Sequence, residues 1–351
     1  IPGFIKTVSY KGTGAPMHVR DGVAVIATST WAALKARELI NITWDEGPHN
    51  NESTDQLFQT FAEKANEAPT VPVFSRGDFS QVPRDQEFTA DYAEPFLTHG
   101  TIEPENFIAS VKGDQCELWG GLQLPDWAVS TIVKDCGIRK ENIKVNLALM
   151  GGAFGRRLHF DFALEAVKIA QQVDKPVKLV WDRVDDTKFS PYRPANFHRL
   201  KAVADTNGKI LAWQHHVLGT PVAFMTDGPD AKNIGEMDGA DSGFVYDIPN
   251  LRTGYTGVNF NINRGWLRSV DICVNTFPVE SFVDEIATRL KKDPLAFRLS
   301  MLENRPDFKT GTDPGALTQS PARTAAIPTL PTCAPRVHRC DPPFRTPRAT
   351  T

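Results

Sequence analysis

The chain has 351 residues, 41% of them hydrophobic and 23% charged, enough for two or three globular domains. Its formal net charge of −3 provides no basic field to argue for nucleic acid, and it offers no apolar run of about eighteen residues for a membrane-spanning helix. Cys116, Cys136, Cys273, Cys333 and Cys340 form no CxxC pair, which argues against a cysteine-ligated zinc or iron–sulfur site within the chain.

The opening "IPGFIKTVSYKGTG" lacks a charged-then-apolar signal pattern and reads as entry into the middle of a domain. Residues 19–47 predict strand, helix, strand. "VAVIA" is a buried strand, and Ser29 or Thr30 can cap a helix carrying Trp31, Leu34 and Leu39. "INITW" alternates as a second strand. Residues 49–88 are polar and Pro-punctuated and read as a linker or wrapping segment. From 89 to about 300, strands and helices mix without a strict βαβ rhythm, so the fold class is α+β. Nine of the 26 prolines fall from Pro306 onward, so residues 306–351 are expected to be a disordered or aberrant tail.

"LALMGGAFGRRLHFDFALEAVKIAQQV" (147–173) places Gly151, Gly152 and Gly155 before a periodic apolar stretch. Phe160, Ala163, Leu164, Val167 and Ala170 share one helical face, predicting a loop over 151–157 and a helix from near His159 to near Val173. Lys175-Pro176 would end it. A glycine turn at a helix mouth exposes backbone N–H groups to an anion. Arg156 and Arg157 would add charged donors, the alternative being a tight turn with two solvated arginines. No Lys-Ser/Thr pair follows, so this is not a Walker loop.

Other chemistry-bearing side chains read as structural. His215 and His216 are adjacent on a strand, face opposite sides and cannot share a metal. His99 and His198, with His159, also invite a metal reading. His159 and Asp161 suit the surface of a first helical turn, and Asp182, Asp185 and Asp186 a solvated acidic loop. No Gly-x-Ser-x-Gly elbow or triad is present.

Several collinear motifs carry a resemblance. They are "STWAALKAR" with "WDEG", the Glu-Pro element of "THGTIEPENF", "GGLQ" at 120–123, "GGAFGRR", "YRPA", and "GWLRSV" followed by "NTFPVESFVDE". Together, over about residues 1–305, they resemble the molybdenum-cofactor-binding large subunit of the xanthine dehydrogenase/aldehyde oxidase family, nearest its isoquinoline 1-oxidoreductase beta-subunit branch. Leu267 departs from that branch, which sets Trp and Arg side by side. The resemblance implies an α/β hammerhead domain over 1–48 and the first part of a molybdopterin-binding domain over 89–305.

It also implies molybdenum held by the dithiolene of molybdopterin, in its cytosine dinucleotide form, with no direct protein ligand. Gln123 would bond an oxo ligand or the pterin. Gly152, Phe154, Gly155 and Arg156 would line the cofactor, Arg268 would hold cofactor or substrate, and Arg193 would stand at the substrate pocket. The implied reaction is hydroxylation of an aldehyde or N-heterocycle with water as oxygen source, electrons leaving through a 2Fe-2S small subunit. The glutamate base that the family carries on a late Gly-rich turn has no counterpart here. The only Gly-Glu pair is Gly235-Glu236, in a different context, so no catalytic residue is identified. The expectation is a fragment that does not turn over alone. An inactive remnant without cofactor and a nucleotide-phosphate binder remain as alternatives. The compartment is left open.

Overall fold

The computed structural model describes residues 1–13, 19–45, 47–226, 236–240 and 244–303. The tail expected over 306–351 lies outside the described residues. The chain opens with antiparallel strands β1 (Phe4–Tyr10) and β2 (Gly22–Ala27), then α1 (Thr30–Arg37). Ser29 caps α1, its hydroxyl accepting from the Ala32 amide. The apolar face expected on α1 is reversed. Ala32 and Ala36 are buried, whereas Trp31 is 64% and Leu39 75% exposed. Small side chains let the helix lie close to β2, and the bulky ones turn outward. The strand expected at "INITW" does not form, since alternation specifies a face but not a partner.

The segment read as a linker folds. It holds α2 (Thr54–Lys64), capped by Ser53, and β3 (Val71–Arg76) before β4 (Gln86–Glu94). β3 is an edge strand, where Pro72 is tolerated. There follow β5 (Asn106–Lys112), β6 (Gln115–Gly120), α3 (Pro125–Cys136), β7 (Ile143–Leu147), α4 (Asp161–Ala170), β8 (Val177–Val180) and α5 (Arg183–Phe189). Pro125 opens α3, and Gly137 closes it at φ +69. The chain continues through β9 (Asn196–Ala204), β10 (Ile210–Gly219), α6 (Ala223–Thr226), β11 (Asn250–Gly257), α7 (Ile272–Arg289) and α8 (Pro294–Leu302).

Two larger sheets organise the fold. One has the order β7-β6-β5-β8, with β6 and β7 parallel and the other pairs antiparallel. Its core joins Phe107 and Leu118 to Ile132 of α3 and Phe162, Leu164 and Val167 of α4. The other has the order β3-β11-β10-β9-β4, with β10 and β11 parallel. Leu200 and Trp213 there pack on Phe282, Val283 and Ile286 of α7 and Phe297 of α8. On another side of this sheet, Leu57 and Phe61 of α2 meet Phe197 and Leu218. The connections leaving the strand ends carry the site.

Candidate functional site

Four connecting segments meet. At the end of β6, the Gln123 amide donates to the Arg157 carbonyl at 2.9 Å, and Gln123 Oε1 accepts from the Gly155 amide at 3.2 Å. The glycine segment is wound through left-handed backbone, with φ +107 at Gly152, +53 at Phe154 and +102 at Gly155. A non-glycine residue at positive φ stores strain that the surroundings must hold in place. They do so here. The Arg268 amide donates to the Phe154 carbonyl at 2.8 Å. A Cβ on Gly155 would lie 2.2 Å from the Trp266 carbonyl oxygen, so only glycine permits this approach.

Tyr192 joins from the third segment. Its amide donates to the Asn263 carbonyl and its carbonyl accepts from Gly265, each at 2.9 Å. The next residue, Arg193, lines a cavity of about 20 Å³ with Glu236, Trp266, Leu267 and Asp271. Gln123, Phe154, Arg193 and Arg268 thus come from separated sequence positions onto one connected set of loops. Gly151 and Arg268 are exposed and Phe154 is half-exposed.

Arg156 and Arg157 are neither solvated nor at the loop mouth. Both are buried. Arg156 makes a bidentate pair with Asp161, at 2.7 and 2.9 Å, and its Nε donates to Ser190 Oγ. Its guanidinium donors are therefore engaged within the fold. Arg157 Nη1 donates to the Gly121 carbonyl, and its guanidinium lies 3.6 Å from both Glu103 and Glu105. Glu103 in turn accepts from the Gly151 amide at 2.5 Å. The Glu-Pro element thus grips the glycine segment from beneath.

His159 and Asp161 are buried rather than on a surface turn. α4, which begins at Asp161, is covered by β5, α3, β8 and β1, and the His159 ring is stacked on Trp266. Nor is the acidic run a free loop. Asp182 and Asp185 form the capping box of α5, and Asp186 is buried against Arg183.

The histidines of the second sheet do face apart. His215 Nε2 meets His198 Nδ1 at 3.0 Å, while His216 Nε2 meets Thr256 Oγ1 at 2.8 Å. No group of three metal-ligating side chains exists among the described residues. What the loops do offer is a neutral amide, strained backbone and cationic Arg268. That set suits a group carrying oxygen and sulfur acceptors better than a directly ligated ion.

Two carboxyl groups stand near Arg193: Glu94, which sequence reading missed, and Glu236, which it named and set aside for its context. Glu94 lies 3.9 Å from its guanidinium, and burial pushes it up to about 7. Glu236 is also pushed up to about 7 by burial, and its Oε1 accepts from the Val222 amide at 2.6 Å. Nothing local in the sequence marks the burial of either, because strands and loops far apart in the chain bury them.

These features define an α+β domain whose strand-end loops are tied together by hydrogen bonds. Residues 61–302 match the family described as "Molybdopterin cofactor-binding domain", and the chain belongs to that family, within the xanthine dehydrogenase/aldehyde oxidoreductase proteins. It is similar to a protein of Gluconacetobacter polyoxogenes named membrane-bound aldehyde dehydrogenase [pyrroloquinoline-quinone], 30% identical over 305 residues, covering 82% of this chain and 39% of that one. It is 27% identical to isoquinoline 1-oxidoreductase subunit beta of Brevundimonas diminuta, covering 83% of this chain and 39% of that one. In fold it resembles the solved aldehyde oxidoreductase of Desulfovibrio gigas, with TM-score 0.64 and 20% identity, covering 85% of this chain and 37% of that one. The chain thus spans about 39% of the length of the two curated relatives.

Proposed function

We propose that the chain is the cofactor-holding part of a molybdenum hydroxylase that oxidises an aldehyde or an N-heterocycle. The observation that carries this reading is the pair of contacts tying Gln123 to Gly155 and Phe154 to Arg268. Bound molybdopterin, in its cytosine dinucleotide form, supplies a redox-active molybdenum centre with water as the oxygen source. Gln123 offers its side-chain amide, and Gly152, Phe154 and Gly155 offer backbone to the cofactor. Arg268 adds positive charge, and Arg193 stands at the substrate pocket. Electrons leave to a 2Fe-2S partner subunit.

With both guanidinium groups of the Arg pair turned inward, a nucleotide-phosphate cradle loses its charged donors. Metal analysis with cofactor extraction decides among the remaining readings. Molybdenum with extractable pterin, near one per chain, is expected. A quinone without molybdenum, or a folded protein holding neither, would overturn the proposal.

A further inference from the structure

Trp266 begins the turn that leads to Arg268, and two histidines hold its backbone from opposite sides. Its amide donates to His159 Nε2 at 3.1 Å, and its carbonyl lies 2.9 Å from His99 Nε2. A carbonyl only accepts, so His99 Nε2 carries its proton. An amide only donates, so His159 Nε2 carries none. The two rings therefore hold complementary neutral tautomers on the two polar groups of one residue.

The surroundings enforce this. The His159 ring stacks on the Trp266 indole with centroids 5.5 Å apart and planes 18° apart. A Cβ on Gly265 would fall 2.0 Å from His159 Nε2, so the preceding residue must be glycine. On the far side, Gly155 leaves room for the same Trp266 carbonyl that His99 binds. His99 Nδ1 is buried without a hydrogen-bond partner among the described residues, so a second proton there would be a charged donor with nowhere to go. Burial holds His99 down to about 4 and His159 well below the usual imidazole range, with the Arg156 guanidinium opposing charge on both.

We infer that His99 and His159 are positioning residues, a donor–acceptor pair that fixes the Trp266 peptide and thereby sets where Arg268 stands beside Phe154. The pair acts through the backbone of the turn and touches neither substrate nor cofactor. Its consequence for cofactor retention rests on the proposed function, whereas its chemistry does not.

Two measurements test it. Long-range proton–nitrogen correlation on the full chain labelled at histidine should show a proton on Nε2 of His99 and on Nδ1 of His159 at neutral pH. The same tautomer at both, the reversed pair, or an imidazolium at either would overturn the inference, whatever the protein binds. The second compares His159→Gln, whose amide oxygen can accept from Trp266, with His159→Phe, which keeps the stack and removes the acceptor. His159→Gln should retain molybdenum near the wild-type level, and His159→Phe should lose about tenfold. Equal retention by both variants would contradict the pair. A wild-type chain without molybdenum would instead sink the proposed function and leave the tautomer result to decide this inference.

Discussion

α4 and α1 are both short helices that mix apolar and charged residues, yet they end in opposite environments. α4 buries nine of its ten residues, Asp161 and Glu165 included. α1 buries only Ala32 and Ala36 and turns Trp31 outward. α4 is the more apolar of the two, and it also has more neighbours. α4 is walled by β5, α3, β8 and β1, whereas α1 rests on the β1–β2 pair. Charge inside the walled helix becomes structural, because each buried ion must find a partner, as Arg156 finds Asp161 and Ser190.

The sharpest way to break that contrast is Arg156→Met. It leaves Asp161 buried without its bidentate partner and should cost about 3–5 kcal/mol, read as a drop in the denaturant midpoint. A loss below about 1 kcal/mol would mean that the pair is solvated. Gly155→Ala comes next. A methyl 2.2 Å from the Trp266 carbonyl, at φ +102, should cost about 1–3 kcal/mol and loosen the glycine segment from the Arg268 turn. Unchanged thermal stability would show that the two loops do not meet.

Glu165 tests the walled helix through pH. Burial and the Asp161 charge push its carboxyl up to about 8, while its Oε2 accepts from Trp181 Nε1 at 2.9 Å. The folded state holds a proton that the unfolded chain releases above the ordinary carboxylate range. This group's contribution therefore falls as pH rises from about 5 towards 8. Glu165→Gln should flatten the stability profile over that window, by up to about 1.4 kcal/mol per pH unit. An unaltered slope would place an ionised carboxylate in the folded state. The smallest effect is expected on α1. Trp31→Ser should change stability by under about 0.5 kcal/mol, and a larger loss would reveal a neighbour over its exposed ring.

Local signals were legible where one element sets its own environment. Ser29 caps α1, "VAVIA" lies within β2, and the switch from glycines to apolar periodicity marks α4, which ends before Pro176. The α7 stripe of Val279, Phe282, Val283 and Ile286 is buried as its period requires. Illegible features depend on distant chain. β3 hides in a polar segment because its strand identity comes from pairing with β11, about 180 residues on by element positions. The inward turn of Arg156 and Arg157 needs Glu103, Glu105 and Ser190. Within the site, the motifs pointed to Gln123, Phe154, Arg193 and Arg268, which the fold brings onto connected loops. The histidines that hold Trp266 carried no pattern, since each acts on a backbone group more than 100 residues away.

The loops that carry Gln123, Phe154 and Arg268 are proposed to hold molybdopterin. Diffraction from the molybdenum-loaded protein, recorded at the molybdenum absorption edge, tests it most directly. An anomalous peak is expected beside Gln123, the Phe154-Gly155 backbone and the Arg268 turn. A peak elsewhere in a metal-containing crystal would contradict it.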